Sequence, residues 1–185
     1  MIKIGLTGNI ASGKSTVEEM LSKSYKVVDL DKISHEFIET KCKDEILKAF
    51  NTTNRKELSK IVFKDKNELK KLENIIHPKL REYVTEYFKN NKNEKIVFIS
   101  GALIYEVGFN DLFDKIIFVD ANKDLRLHRL MKRNSLDEQT ALVRINAQNE
   151  NYKNSADYII ENNSNIEDLE EKLLNVLDNI ISPNA

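Results

Sequence analysis

Cys42 is the only cysteine in the chain, and prolines and glycines are scarce, two and five in 185 residues. One cysteine excludes a disulfide framework and any zinc site built from cysteines. No Pro/Gly-rich linker, low-complexity tract or internal repeat divides the chain, so a single domain over residues 1–185 is the expectation. The longest nearly apolar run, Ile96 to Tyr105, is too short to span a bilayer. No signal-peptide pattern opens the chain, because a glycine-containing loop begins as early as Gly8. A net charge of −1 argues against nucleic-acid binding by bulk electrostatics, so any basic surface must be local, such as a cleft for anionic ligands. With 41% hydrophobic and 32% charged residues, a soluble, cytoplasmic globular enzyme is the expected class.

What the chain does have is Gly8-Asn9-Ile10-Ala11-Ser12-Gly13-Lys14-Ser15, a fit to G-x-x-x-x-G-K-[ST], the Walker A phosphate-binding loop. It follows the apolar run Ile2 to Leu6, a buried strand, and opens a helix from Ser15 to about Ser22. Strand, loop and helix are the context this motif needs. Gly8 and Gly13 let successive backbone N–H groups turn inward and cradle phosphate oxygens. Lys14 would reach the β- and γ-phosphates, and the Ser15 hydroxyl would hold Mg²⁺. Gly8 to Thr16, including Asn9, Ile10, Ala11 and Ser12, are therefore the expected ATP-binding residues.

Five short apolar runs predict buried strands: Lys3 to Leu6, Lys26 to Val28, Ile96 to Ile99, Ile116 to Val119 and Tyr158 to Ile160. They lack polar alternation and are separated by helical patterns, including one between the third and fourth strands. That pattern predicts an α/β fold with a five-stranded parallel sheet covered on both faces and a ligand site at the strands' carboxyl ends. Residues 32–93 are too long for one crossover and read as a helical insertion covering an acceptor substrate. Its helix over Asp65 to Asn91 should break at His77-Pro78, because proline disfavours helical geometry in the residue before it. Residues 125–150 read as two charged helices joined near Asn134-Ser135, and the tail after Ile181 as loose.

The second strand ends in Val28-Asp29-Leu30-Asp31. If the chain stays extended, both carboxylates lie on one side. Asp31 would accept a proton from an attacking hydroxyl, or simply N-cap a helix starting at Lys32; spacing does not decide between these roles. Arg126, Arg129 and Arg133 share one helix face by their i, i+3, i+7 spacing. That stripe suits closure over ATP phosphates, and equally a solvated basic face. His77 stands at the expected helix break, where it would touch a ligand or pack in a turn. Tyr105-Glu106 follows the third strand, facing the cleft or starting a helix. His35 and His128 show no partner pattern.

Taken together, the segments resemble the dephospho-CoA kinase family, P-loop kinases of the nucleoside-monophosphate-kinase-like type. The resemblance runs from Ile4-Gly5-Leu6-Thr7-Gly8 through the loop into Asp29-Leu30-Asp31, parallel to the family's D-A-D. It continues in Asn54-Arg55-Lys56-Glu57-Leu58 with Val62-Phe63, and in Leu72-Glu73-Asn74-Ile75-Ile76-His77-Pro78. Leu103-Ile104-Tyr105-Glu106 is similar to P-L-L-F-E, with Ala102 in place of proline. Arg144-Ile145-Asn146-Ala147-Gln148 and Ala156-Asp157-Tyr158-Ile159-Ile160-Glu161-Asn162 are similar to R-I-x-x-Q and A-D-x-V-I-x-N. Asn9 and Ala11 stand where the family has glycines; asparagine tolerates left-handed geometry better than most residues.

The resemblance implies a nucleotide-binding core over 1–31, 94–124 and 151–182, an acceptor-binding insertion over 32–93 and a lid over 125–150. It implies Asp31 as general base, Lys14, Arg129 and Arg133 on the phosphates, and acceptor contacts at Asp31, His77, Glu106 and Arg144. Lys153 and Asn162 would lie near the nucleotide. The implied ligands are ATP with Mg²⁺ and dephospho-CoA, with no nucleic acid or membrane, in a monomer or weak homo-oligomer. A regulatory GTPase is disfavoured, because Asn122-Lys123-Asp124-Leu125 puts leucine where N-K-x-D needs aspartate.

Overall fold

The computed structural model describes residues 1–182. Its strands are β1 (Ile2–Gly8), β2 (Lys26–Asp29), β3 (Ile96–Ser100), β4 (Lys115–Asp120) and β5 (Tyr158–Glu161), one for each apolar run. The helices are α1 (Lys14–Ser22), α2 (Leu30–Glu39), α3 (Lys43–Phe50), α4 (Arg55–Val62), α5 (Lys66–Asn90), α6 (Lys123–Asn134), α7 (Glu138–Asn146) and α8 (Ile166–Ile181). The sheet is all-parallel, in the order β2-β3-β1-β4-β5, and flanked by helices. β1 is central, with Ile4 beside Phe98 of β3 and Leu6 beside Ile117 of β4. A strand covered on both faces needs no polar alternation, which is why all five residues of β3 are buried.

The chain forms two compact units, Met1–Val28 with the chain from Glu94 onward, and Asp29–Asn93. In the first, one main core joins Ile4, Leu6, Phe98, Ile117, Val119 and Ile160 of the sheet to Val17 and Leu21 of α1 and Leu169, Leu173, Leu177 and Ile180 of α8. The i, i+4, i+8, i+11 spacing on α8 turns one apolar stripe to the sheet. Its start is fixed by Asn165, whose side chain accepts from the Asp168 N–H at 2.9 Å. A smaller cluster, Leu130, Ala141 and Ile145, joins α6 to α7.

In the second unit, α2, α3 and α4 each pack against the long α5. Phe37 of α2 meets Tyr83 of α5 edge to face, with centroids 5.9 Å apart.

Two expectations are corrected. The helix over Asp65 to Asn91 does not break at His77-Pro78: α5 runs through Pro78 as one element of 25 residues. Proline removes the bond to the Asn74 carbonyl, at about 3 kcal/mol. Burial of Ile76 and Leu80 on either side, with Val84 and Phe88 beyond, offsets that cost. The helix expected between β3 and β4 is also absent. Leu103 begins a single turn, which Gly108 ends at φ +68°. Phe109 N–H bonds to the Ile104 carbonyl and Gly108 N–H to that of Tyr105, the paired bonds of a Schellman stop. Only a short 3₁₀ turn, Asn110–Leu112, follows. The tail beyond Ser182 lies outside the described residues.

Candidate active site

The loop from Gly8 to Gly13 leaves the central strand and enters α1. Gly13 is at φ +103°, and a Cβ there would stand 2.1 Å from the Asn162 side-chain nitrogen. A Cβ on Gly8 would meet the Val119 carbonyl oxygen at 2.3 Å. Both motif glycines are therefore required by space, and Gly13 by backbone geometry as well.

Ala11 is the loop's other left-handed position, at φ +60°. A Cβ in that region costs roughly 1–2 kcal/mol. Asn9, not Ala11, was the replacement expected to use left-handed tolerance; instead Asn9 is buried and donates from Nδ2 to Asp120 Oδ1 at 2.8 Å. The strain falls on the alanine.

The loop is clasped on its outer side. Ile10 N–H donates to Gln148 Oε1 at 2.7 Å, and Asn162 Nδ2 donates to the Ser12 carbonyl at 2.8 Å. Ile10 and Ala11 pack on the α6–α7 cluster beside Leu127, Met131 and Leu136. Lys14 Nζ donates to Ser100 Oγ at the end of β3 (2.8 Å) and to Glu18 Oε1 one helical turn on (3.2 Å). Ser15, in the first turn of α1, is exposed.

The three arginines of α6 share a helix face by their spacing but differ in exposure. Arg126 is buried and ion-paired to Glu150 at 2.5 Å, while its Nε and Nη1 are buried without a hydrogen-bond partner. Leu130, one turn on and about 40° from Arg126 around the helix, is buried as well. Arg129 is half-buried and donates to the Asn162 carbonyl at 3.1 Å. Arg133 is exposed, with its Nε on Asn134 Oδ1.

A narrow cleft of about 10 Å³, room for roughly one water, is lined by Gly8, Asn9, Tyr105, Glu106, Gln148 and Tyr152, among others. Tyr105 stacks on Tyr152 with centroids 5.2 Å apart. Although much of Glu106 is exposed, burial pushes its carboxyl above the usual range, with a backbone hydrogen bond opposing.

In the second unit, α2 starts at Leu30 and its cap is Asp29, whose carboxylate accepts from the N–H groups of Asp31 and Lys32. The expectation that Asp31 caps a helix from Lys32 is thus corrected. Asp31 sits in the first turn of α2, so the extended spacing that would align it with Asp29 does not hold. His77 is half-buried on α5, and burial lowers its pKa against the opposing charge of Glu73.

A family model described as dephospho-CoA kinase matches residues 2–168. A dephospho-CoA kinase of Fusobacterium nucleatum is 38% identical over 182 residues, covering 92% of this chain and 94% of the relative. Among solved structures, a dephospho-CoA kinase from Campylobacter jejuni aligns at TM-score 0.73 and 30% identity, over 99% of this chain and 98% of that one. TT1252 from Thermus thermophilus aligns at TM-score 0.84 and 34% identity, over 97% of both chains.

The chain belongs to the dephospho-CoA kinase family.

Family membership fixes the fold as that of a P-loop kinase, with the loop described above at its nucleotide end. Of the residues expected to serve a dephospho-CoA kinase site, the first unit brings together Gly8 to Thr16 and Arg129, and has Glu106 in the cleft beside Gly8 and Asn9. Arg133 and Arg144 are exposed on α6 and α7. Asp31 and His77 belong to the second unit.

Sequence reasoning missed Ser100 and Glu18 on Lys14, Asp120 on Asn9 and Gln148 on Ile10. Only Gln148 carried a signal, as the last residue of the R-I-x-x-Q resemblance. Among the described residues no helix is long and apolar enough to cross a membrane.

Proposed function

We propose that the protein transfers the γ-phosphoryl group of ATP to the ribose 3′-hydroxyl of dephospho-CoA, giving CoA and ADP. The observation that carries this reading is a family match across residues 2–168 on a chain whose phosphate loop keeps both required glycines, Lys14 and Ser15.

In the proposed reaction, the 3′-oxygen forms a bond to the γ-phosphorus as the bond to the β–γ bridging oxygen breaks, and ADP leaves. Asp31 accepts the hydroxyl proton. Such a transition state is loose, so the protein contributes mainly position and charge. Lys14 and the loop N–H groups hold the β- and γ-phosphates, and Arg129 and Arg133 add positive charge while water is excluded. His77, Glu106 and Arg144 contact the acceptor. Residues 32–93 serve as its binding insertion and 125–150 as the lid.

Among the described residues there is no cluster of three or more His, Cys, Asp or Glu side chains able to hold a metal. The exposed Ser15 hydroxyl, a hard oxygen donor at the head of α1, fits Mg²⁺ bound chiefly through substrate phosphates. Bound there, the ion would neutralise charge on the β- and γ-oxygens. The protein acts in the cytoplasm, as a monomer or weak homo-oligomer, without nucleic acid or membrane.

ADP release with Mg·ATP and dephospho-CoA, adenosine monophosphate, shikimate or no acceptor tests the reading. ADP should form with dephospho-CoA alone; equal ADP in every tube would remove the acceptor assignment and leave the fold.

A further inference from the structure

The geometry points to Gln148 as a positioning residue that holds the phosphate loop in its nucleotide-binding conformation through the Ile10 N–H, a hold made necessary by Ala11. The inference rests on nucleotide binding at that loop and not on the identity of the acceptor.

Ala11 occupies the left-handed region without being glycine. A strained backbone of this kind persists only where its surroundings over-determine it. Here the surroundings are specific. The residue just before it, Ile10, gives its N–H to Gln148 Oε1 at 2.7 Å, and Ile10 and Ala11 both pack on the α6–α7 cluster.

Gln148 is itself held. Its N–H donates to the Ile145 carbonyl at 3.2 Å, and Glu150, two residues on, pairs with buried Arg126 of α6. On the far side of Ala11, Asn162 secures the Ser12 carbonyl. The strained residue is thus clamped between two hydrogen bonds, each supplied from far along the chain.

Removing the Gln148 acceptor leaves the Ile10 N–H unpaired and lets Ala11 relax to a more favourable φ, which turns the following N–H groups away from the phosphates. A loop that is competent only part of the time binds with an apparent affinity reduced by that fraction. Glycine at position 11 has no such preference for φ below zero, so the hold becomes dispensable.

The test measures ADP affinity by calorimetry in four proteins: wild type, Gln148→Met, Ala11→Gly and the double variant. Gln148→Met should weaken ADP binding about tenfold in the Ala11 background and less than about threefold in the Ala11→Gly background. Equal losses in both backgrounds, or no loss in the first, would overturn the proposal.

Amide exchange guards against a merely misfolded variant. The Ile10 amide should be protected in wild type and exchange faster in Gln148→Met, while amides in the middle of β1 and α1 keep their rates. An unprotected Ile10 amide in wild type, or exchange raised throughout β1 and α1, would also overturn it. Because ADP is the probe, failure of the dephospho-CoA assignment leaves this result unaffected.

Discussion

Asp29 and Asp31 lie two residues apart at the start of α2 and are put to different uses. Asp29 spends its carboxylate on two backbone N–H groups and so fixes where the helix starts. Capping therefore does not account for Asp31, and its proposed role as general base is open to direct test. Asp31→Asn should lower turnover by about 10²–10⁴, the usual scale for a positioned base, with ADP affinity retained. Turnover within a few-fold of wild type, measured under saturating substrates, would remove Asp31 from the chemistry. The motif residues were readable in the chain because each has a local reason for its type, as the forbidden Cβ positions on Gly8 and Gly13 show. Their partners were not readable. Gln148 is 138 residues from Ile10 and Asn162 is 150 from Ser12, and a side-chain-to-backbone bond leaves no periodic trace.

The pairing of α6 with the segment after α7 depends on one exposed carboxylate facing a buried guanidinium. Arg126 is 3% and Glu150 54% exposed at the side chain. Glu150→Ala would leave a third Arg126 nitrogen without a partner; discounting for Glu150's exposure, the cost should be about 1–2 kcal/mol. Thermal unfolding should then start several degrees lower, whereas Arg126→Met, which removes the charge and keeps apolar volume, should lower it less. The reverse order would show that the ion pair is not what stabilises this element.

The helices of the second unit carry a pH dependence of definite sign. Although His35 is largely exposed, partial desolvation lowers its pKa, as does the neighbouring Arg55 guanidinium, with Asp31 and Asp29 opposing. Arg55 can only donate, so His35 Nε2 accepts its bond at 3.0 Å and the ring is neutral. His77 is lowered by burial as well. Groups whose folded pKa lies below the unfolded value near 6.5 bind protons more readily when unfolded, so stability holds above about pH 6.5 and falls as pH drops through it. Changing both histidines to glutamine should flatten the fall in urea midpoint between about pH 7.5 and 5.5. An unchanged slope would exclude them as its source. Proline in α5 is the counterpart lesson: its local penalty was visible in the chain, but the burial that outweighs it depends on partners from α2, α3 and α4.

For the molecule as a whole, the parallel sheet could be read from five unalternating apolar runs, because strands covered on both faces select such residues. The strand order could not: β3 lies between β2 and β1, a choice made by crossover packing and not by any strand's own residues. The near-neutral charge of −1 fits small anionic substrates bound at one basic loop better than a polyanion. The central claim is chemical, and product identity tests it most directly. The purified protein would be incubated with Mg·ATP and dephospho-CoA, and the products identified by mass spectrometry, with ³¹P NMR locating the new phosphate. One CoA per ADP, carrying the phosphate on the ribose 3′-oxygen, is the predicted result. Inorganic phosphate in place of CoA, or phosphate on any other oxygen, would contradict it.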